Sequence, residues 1–174
     1  RGRDMDNNMK KRWISLYVEN QVGVLSKISG LFSGKCYNLD SLTVGTTEDP
    51  TVSRMTIATV SDDETFEQIK KQLNRMVEVI KVIDLTNVPL RLKELMFVKV
   101  NSCTEKDKAE AFRISQVYGV KIEDYNKNTI LFECTMTEDK NNSLLKLLSE
   151  TYGYRLEVVR GGAVAIEAVS YTDR

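Results

Sequence analysis

The sequence predicts an α+β protein built from two tandem ferredoxin-like βαββαβ domains, with antiparallel sheets and helices on one face. Three observations predict it. Apolar residues switch between a period of two and a period near 3.6 in the order strand, helix, strand, strand, helix, strand. A break follows at Pro89, and then the same order restarts. At 174 residues the chain has room for two small domains.

In the first unit, Ile14, Leu16 and Val18 share one face of a strand. Val24, Leu25, Ile28, Leu31 and Phe32 then form one helical stripe. The stretch from Asn38 to Thr46 and the stretch from Val52 to Val60 alternate on either side of Glu48-Asp49-Pro50, which is turn chemistry. Met55, Ile57 and Thr59 fall on one face of the second of these strands. Asp62 and Asp63 are candidate caps for a helix carrying Phe66, Ile69, Leu73 and Met76. Val77 to Leu85 closes the unit as a β-branched run.

The second unit starts with Leu92 to Val100, where Leu95, Phe97 and Lys99 oppose Met96, Val98 and Val100. Lys106 to Tyr118 reads as a helix with weak periodicity. Its expected inward residues are Ala109, Phe112 and either Gln116 or Val117. Two strands flank the turn Asn126-Lys127-Asn128. A helix marked by Leu144, Leu145, Leu148 and Tyr152 follows, then a strand from Arg155 to Val159. Gly161-Gly162 is expected to break that strand, with Ala163 to Val169 extending it or adding another. The expected boundaries are therefore residues 12–86 and 91–170. Residues 1–11, polar and aperiodic, read as a flexible N-terminus that includes an added leader ahead of Met5 or Met9.

Composition narrows the function. Lys plus Arg and Asp plus Glu are both 25, so the net charge is zero, which argues against a nucleic-acid partner. No apolar run reaches the roughly 20 residues that span a bilayer, and no signal-peptide pattern opens the chain, so a cytoplasmic location is expected. Cys36, Cys103 and Cys134 match no metal or redox spacing and read as packing thiols of a reducing compartment. The chain has no histidine. That removes Ser–His–Asp and Cys–His catalysis and the commonest transition-metal ligand. Gly30 and Gly34 lie within a helical pattern and form no phosphate loop. Asp62, Asp63 and Glu64 favour the positive end of a helix. Lys70, Lys71 and Arg75 read as a solvated face. No catalytic or metal-binding residue is expected, and no cofactor on this chain.

One segment is sharper. After the first strand come Glu19-Asn20-Gln21-Val22-Gly23, and the apolar helix begins at once. A helix start exposes unpaired amides and a partial positive charge. Gly23 allows close approach, and Asn20 can donate and accept. The arrangement suits a small metabolite's carboxylate, and it equally suits a plain tight turn with Asn20 as a local cap. A carboxylate there gains about 0.3–1 kcal/mol, or up to about 2 when partly buried. A sensor working at micromolar to millimolar levels needs on the order of 4–8 kcal/mol. The remainder must come from burying the ligand, and a dimer interface would supply a second wall. One helix-covered face leaves an open face or sheet edge, so pairing through the first unit is expected.

These residues carry a resemblance. The run from Glu19 through Gly23-Val24-Leu25-Ser26-Lys27-Ile28 to Phe32 resembles the amino-terminal ACT domain of the small, regulatory subunit of acetolactate synthase (acetohydroxyacid synthase). The likeness continues through Tyr37-Asn38-Leu39-Asp40-Ser41-Leu42-Thr43-Val44, through Asp49-Pro50-Thr51-Val52-Ser53-Arg54-Met55, and on to Leu73. The second half is similar in Leu92 to Val100 and in Arg160-Gly161-Gly162-Ala163. It departs at Ser115-Gln116-Val117-Tyr118-Gly119. The resemblance implies a non-catalytic subunit. Its catalytic partner would carry thiamine diphosphate, Mg²⁺ and FAD. It implies activation of that partner and feedback inhibition by a branched-chain amino acid, chiefly valine, bound between two ACT domains of a homodimer. Carried over, Asn20, Val22, Gly23, Val24 and Leu25 of one chain would face Asn38 and Leu39 of the other. Gly45 is a further candidate for setting the depth of that site. The competing reading is a stand-alone ACT-type amino-acid sensor or transcriptional co-regulator.

Overall fold

The structure, a computed structural model, describes residues 8–170. Two compact units divide the chain. One contains the residues up to Arg91 together with those from Ala165 onward, and the other runs from Leu92 to Val164.

The first unit contains β1 (Lys10–Glu19), α1 (Val24–Gly34), β2 (Ser41–Thr46), β3 (Val52–Ser61), α2 (Asp63–Asn74) and β4 (Val79–Asp84). Its sheet is antiparallel with order β2-β3-β1-β4. Alternation places Ile14, Leu16 and Val18 of β1 beside Met55 and Ile57 of β3. Val24, Ile28 and Phe32 of α1 and Phe66, Ile69 and Leu73 of α2 cover that face. Each buried side chain of this size contributes about 1.5–3 kcal/mol. Thr59, on the same face of β3, is fully buried and donates its hydroxyl proton to the carbonyl of Asn38. Asp62 caps α2, accepting from the Thr65 amide at 2.7 Å.

The second unit is built from β5 (Leu90–Val100), α3 (Glu105–Tyr118), β6 (Lys121–Tyr125), β7 (Ile130–Met136), α4 (Glu138–Tyr152) and β8 (Leu156–Glu167), of which Leu90–Arg91 and Ala165–Glu167 fall outside its bounds. Its sheet order is β6-β7-β5-β8. Met96, Val98 and Val100 point into a core with Ile130, Phe132 and Cys134, closed by Ala111, Ile114, Leu144, Leu148 and Tyr152 from the helices. Each unit is thus a ferredoxin-like sandwich, as the pattern predicts.

Three expectations need correction. The phase of α3 differs. Ala111 and Ile114 are buried, whereas Ala109 and Gln116 are exposed, Phe112 is 47% exposed and Val117 is 81% exposed. Polar contacts set this phase. The Tyr152 hydroxyl donates to the carbonyl of Asp107 at 3.1 Å, and Arg155 grips the Asp107 carboxylate. Phe112 instead packs edge-on against Tyr125. Second, Gly161-Gly162 does not end β8, which runs unbroken to Glu167. Gly162 adopts φ 81°, which costs little without a Cβ, so the strand passes through it. Third, Lys10 and Lys11, expected in the N-terminal tail, already pair with Ser61 and Val60 as the start of β1. The rest of that expected tail, residues 1–7, lies outside the described residues. Among the described residues no helix is long and apolar enough to cross a membrane.

Candidate functional site

Strand β1 delivers the chain directly to the start of α1, and the β3 side holds the junction. The Asn20 amide donates to the carbonyl of Thr51 at 2.8 Å, and Asn20 Nδ2 donates to the carbonyl of Pro50 at 3.0 Å. The Glu19 amide donates to the carbonyl of Glu78 at 2.9 Å. Pro50 and Thr51 sit in a turn that Asp49 organises, its Oδ1 accepting from the Thr51 amide at 2.9 Å. Hydrogen bonds from the Thr51 hydroxyl and then the Thr51 amide hold the Asp49 carboxyl below its ordinary value.

Gly23 is the residue before α1 and adopts φ 89°, ψ −8°, the left-handed region. Nothing lies within 4 Å of the position a Cβ would take there, so the glycine serves backbone conformation and open access. No side chain caps α1 and no acidic residue lies in its first turn. Asn20 is therefore not the local cap that a plain turn would make of it. With Nδ2 committed to Pro50, Asn20 Oδ1 remains as an acceptor. The junction presents backbone donors and one amide acceptor, a pairing that matches a carboxylate and an ammonium.

Around it stand apolar side chains in water. Val22 is fully exposed and Leu25 is 44% exposed, while Val24 turns into the core. Lys27, one turn into α1, forms an ion pair with Glu78 and holds the Glu78 carboxyl below its ordinary value. The helix start thus keeps its own partial charge without a strong neighbouring cation.

Asn38 and Leu39 lie elsewhere. Leu39 packs at the margin of the first core, and Asn38 is exposed beside Thr59. Thr59 pairs with Arg12, near the start of β1, whereas Asn20 follows the far end of that strand. Eight residues of extended chain separate the two levels, roughly 26 Å. One protomer does not bring the predicted residues together. Gly45 lies on β2, the sheet edge, opposite Arg54, next to the exposed Val44.

The comparisons with known proteins bear on both units. Residues 14–81 match the model of the AHAS small subunit-like ACT domain, and residues 93–169 match that of the small subunit of acetolactate synthase. The chain belongs to the acetolactate synthase small-subunit family. The small subunit of Aquifex aeolicus is 39% identical over 158 residues, covering 91% of this chain and 81% of that protein. The isozyme 3 small subunit of Escherichia coli is 35% identical over 156 residues, covering 90% and 94%. The crystal structure of the Thermotoga maritima small subunit superposes with a TM-score of 0.82 at 32% identity, covering 92% of this chain and 99% of that one. Membership spans both units, so the departure at Ser115–Gly119 lies within a domain of the family. The stand-alone sensor reading is not favoured.

Sequence reasoning overlooked the residues that shape the junction. Thr51 and Pro50, which anchor Asn20, had a signal in the Asp49-Pro50 turn. Glu78 had none, because its role depends on the bulged pairing of β1 with β4.

Proposed function

We propose that this chain is the non-catalytic regulatory subunit of an acetolactate synthase, activating the catalytic subunit and making it sensitive to a branched-chain amino acid, valine in the first instance. Thiamine diphosphate, Mg²⁺ and FAD belong on the catalytic partner in this reading, and this chain holds none of them. The observation that carries the effector site is the unsealed start of α1: an exposed, uncapped helix end beside the Asn20 acceptor and the solvent-exposed Val22 and Leu25.

The site is completed by a second copy. Valine's carboxylate takes the amides of Gly23 and Leu25, its ammonium takes Asn20 Oδ1, and its isopropyl group takes the apolar margin. Asn38 and Leu39 come from the partner protomer, which fits their placement at the opposite end of β1 within one chain. The homodimer forms through the first unit. Its edge strand β2 leaves Val44 uncovered on the helix side of the sheet, opposite the buried Met55. Burial between copies supplies the several kcal/mol that a helix end alone does not.

Regulation follows as linkage. Valine favours one arrangement of the dimer, and that arrangement disfavours the active complex. The coupling is reciprocal, typically about 1–3 kcal/mol. The deciding experiment mixes the chain with its cognate catalytic subunit and measures acetolactate formation with and without valine. Activation reversed by valine is expected. No activation refutes the regulatory role, and equal valine affinity with and without the partner refutes the linkage.

A further inference from the structure

In the second unit the end of α3, the end of β7 and the start of α4 flank an open groove of about 580 Å³. Val117, Tyr118 and Met136 give it an apolar lining, and Lys93, Asp139 and Lys140 stand among them. Val117 is 81% exposed and Tyr118 is 37% exposed. Phe112, on another flank of α3, spends its ring on Tyr125. Val117 keeps most of its surface in water beside the Tyr118 ring and the Met136 side chain. A contiguous apolar patch of this kind, rimmed by charge, suits a protein partner.

The charge in the groove has a sign. Lys93 and Lys140 are exposed, and neither makes an ion pair among the described residues. Asp139 lies in the first turn of α4, where it offsets the helix's own partial positive charge. Two cations therefore face one carboxylate that is already engaged, and their aliphatic stems extend the apolar lining. None of the buried polar atoms left without a partner lines the groove among the described residues, so it lacks the desolvated, convergent polar groups of a small-molecule site. A second copy related by a twofold axis would set the same lysines against each other. The complementary occupant is a segment carrying apolar residues and carboxylates. The groove falls within residues 93–169, which match the small-subunit model, and a small subunit has a catalytic subunit to meet.

We infer that this groove docks an apolar, acidic segment of the catalytic subunit, with Val117 and Tyr118 meeting its apolar residues and Lys93 and Lys140 its carboxylates. The inference rests on the regulatory reading and uses none of the effector residues. The test measures binding of the full chain to its cognate catalytic subunit by biolayer interferometry, at low and at high salt, together with acetolactate formation as the chain is titrated in. Val117→Ser should weaken the affinity about fivefold at either salt. Lys140→Glu should weaken it on the order of tenfold at low salt and less at high salt. Both positions are exposed, and Glu is favourable near a helix start, so both variants should fold and melt as the native chain does. Saturating amounts of either should still give full activation, and valine affinity of the free chain should be unchanged. Lys127→Glu, at an exposed position that does not line the groove, should leave the affinity as it is.

A native chain that neither binds nor activates the catalytic subunit would refute the regulatory reading and the inference with it. A native chain that activates, with Val117→Ser and Lys140→Glu binding as tightly as it does, would refute the groove alone. Equal weakening by Lys127→Glu would replace docking by general charge attraction and overturn the inference. So would altered sedimentation of the free Val117→Ser chain with its affinity for the catalytic subunit intact, which would make a second copy the occupant.

Discussion

The first helix of each domain starts in the same topological position, after the inner strand that leads the unit, yet the two starts are built differently. At α1 the preceding residue is a left-handed glycine, the first turn has neither cap nor acid, and Val22 stands in water. At α3 Thr104 forms a reciprocal capping box with Asp107. Arg155 then clasps the Asp107 carboxylate through Nη1 at 2.7 Å and Nη2 at 3.3 Å. Tyr152 closes the cluster, its hydroxyl pushed up to about 12 by burial. A capped start contributes about 1 kcal/mol and takes up the amides of Thr104 and Asp107. An open start forgoes that stability and keeps its donors available. One fold used twice is built in two ways, with an open helix start in the first unit and a capped one in the second.

The sharpest way to break this contrast is Gly23→Asp. It puts a carboxylate where the ligand's carboxylate should lie, in a backbone region that a side chain strains. Valine affinity by calorimetry should fall on the order of a hundredfold, a little under 3 kcal/mol, while activation of the catalytic subunit persists. A fully valine-sensitive variant would move the site elsewhere. The mirror experiment is Asp107→Asn. It removes the ion pair and half of the capping box, and denaturant unfolding should show a loss of about 1–3 kcal/mol with valine sensitivity unchanged. A shift in valine response would show that the two starts are not separate in role. Leu25→Ser sharpens the comparison further. At an exposed position it should change stability by no more than about 0.5 kcal/mol, yet weaken valine binding several-fold.

The smallest effect concerns pH. Arg155 and the Thr104 amide hold the Asp107 carboxyl well below the usual carboxylate range. The depressed folded-state value means its stabilisation is fully present above the ordinary carboxylate range, near pH 4. It is lost as pH falls below that, towards the folded-state value. The stability gap between the native chain and Asp107→Asn should therefore be constant at neutral pH and narrow in strong acid. A gap that widened on acidification would contradict the assigned direction.

How much of this was legible in the sequence varies by region. Periodicity in α1 and α2 located most of their buried faces, with one exception: Leu25, counted in the apolar stripe of α1, is 44% exposed. In α3 the large apolar residues and the core part company. Its buried residues, Ala111 and Ile114, are fewer and smaller than its exposed ones, and its phase depends on Arg155, 48 residues away from Asp107. A window of neighbouring residues holds no trace of that contact. Gly161-Gly162 misled for another reason, because a glycine pair suits a bend within a strand as well as an end. The first part of the candidate site was visible as a strand-to-helix junction with glycine. That Asn20 would spend its donor on Pro50 was not, because the partner arrives from across the sheet.

The register of β1 carries one more consequence. With Asn20 following one end of the strand and Asn38 beside the other, a site that uses both cannot close on an isolated chain. Such a subunit would be deaf to its effector when dilute, however well folded, and would gain its response only as copies meet. Valine binding measured across a dilution series should fade where the dimer dissociates. By the twofold symmetry of the pair, each assembled dimer would hold two equivalent sites, so the binding stoichiometry should be one ligand per chain and never one per isolated monomer.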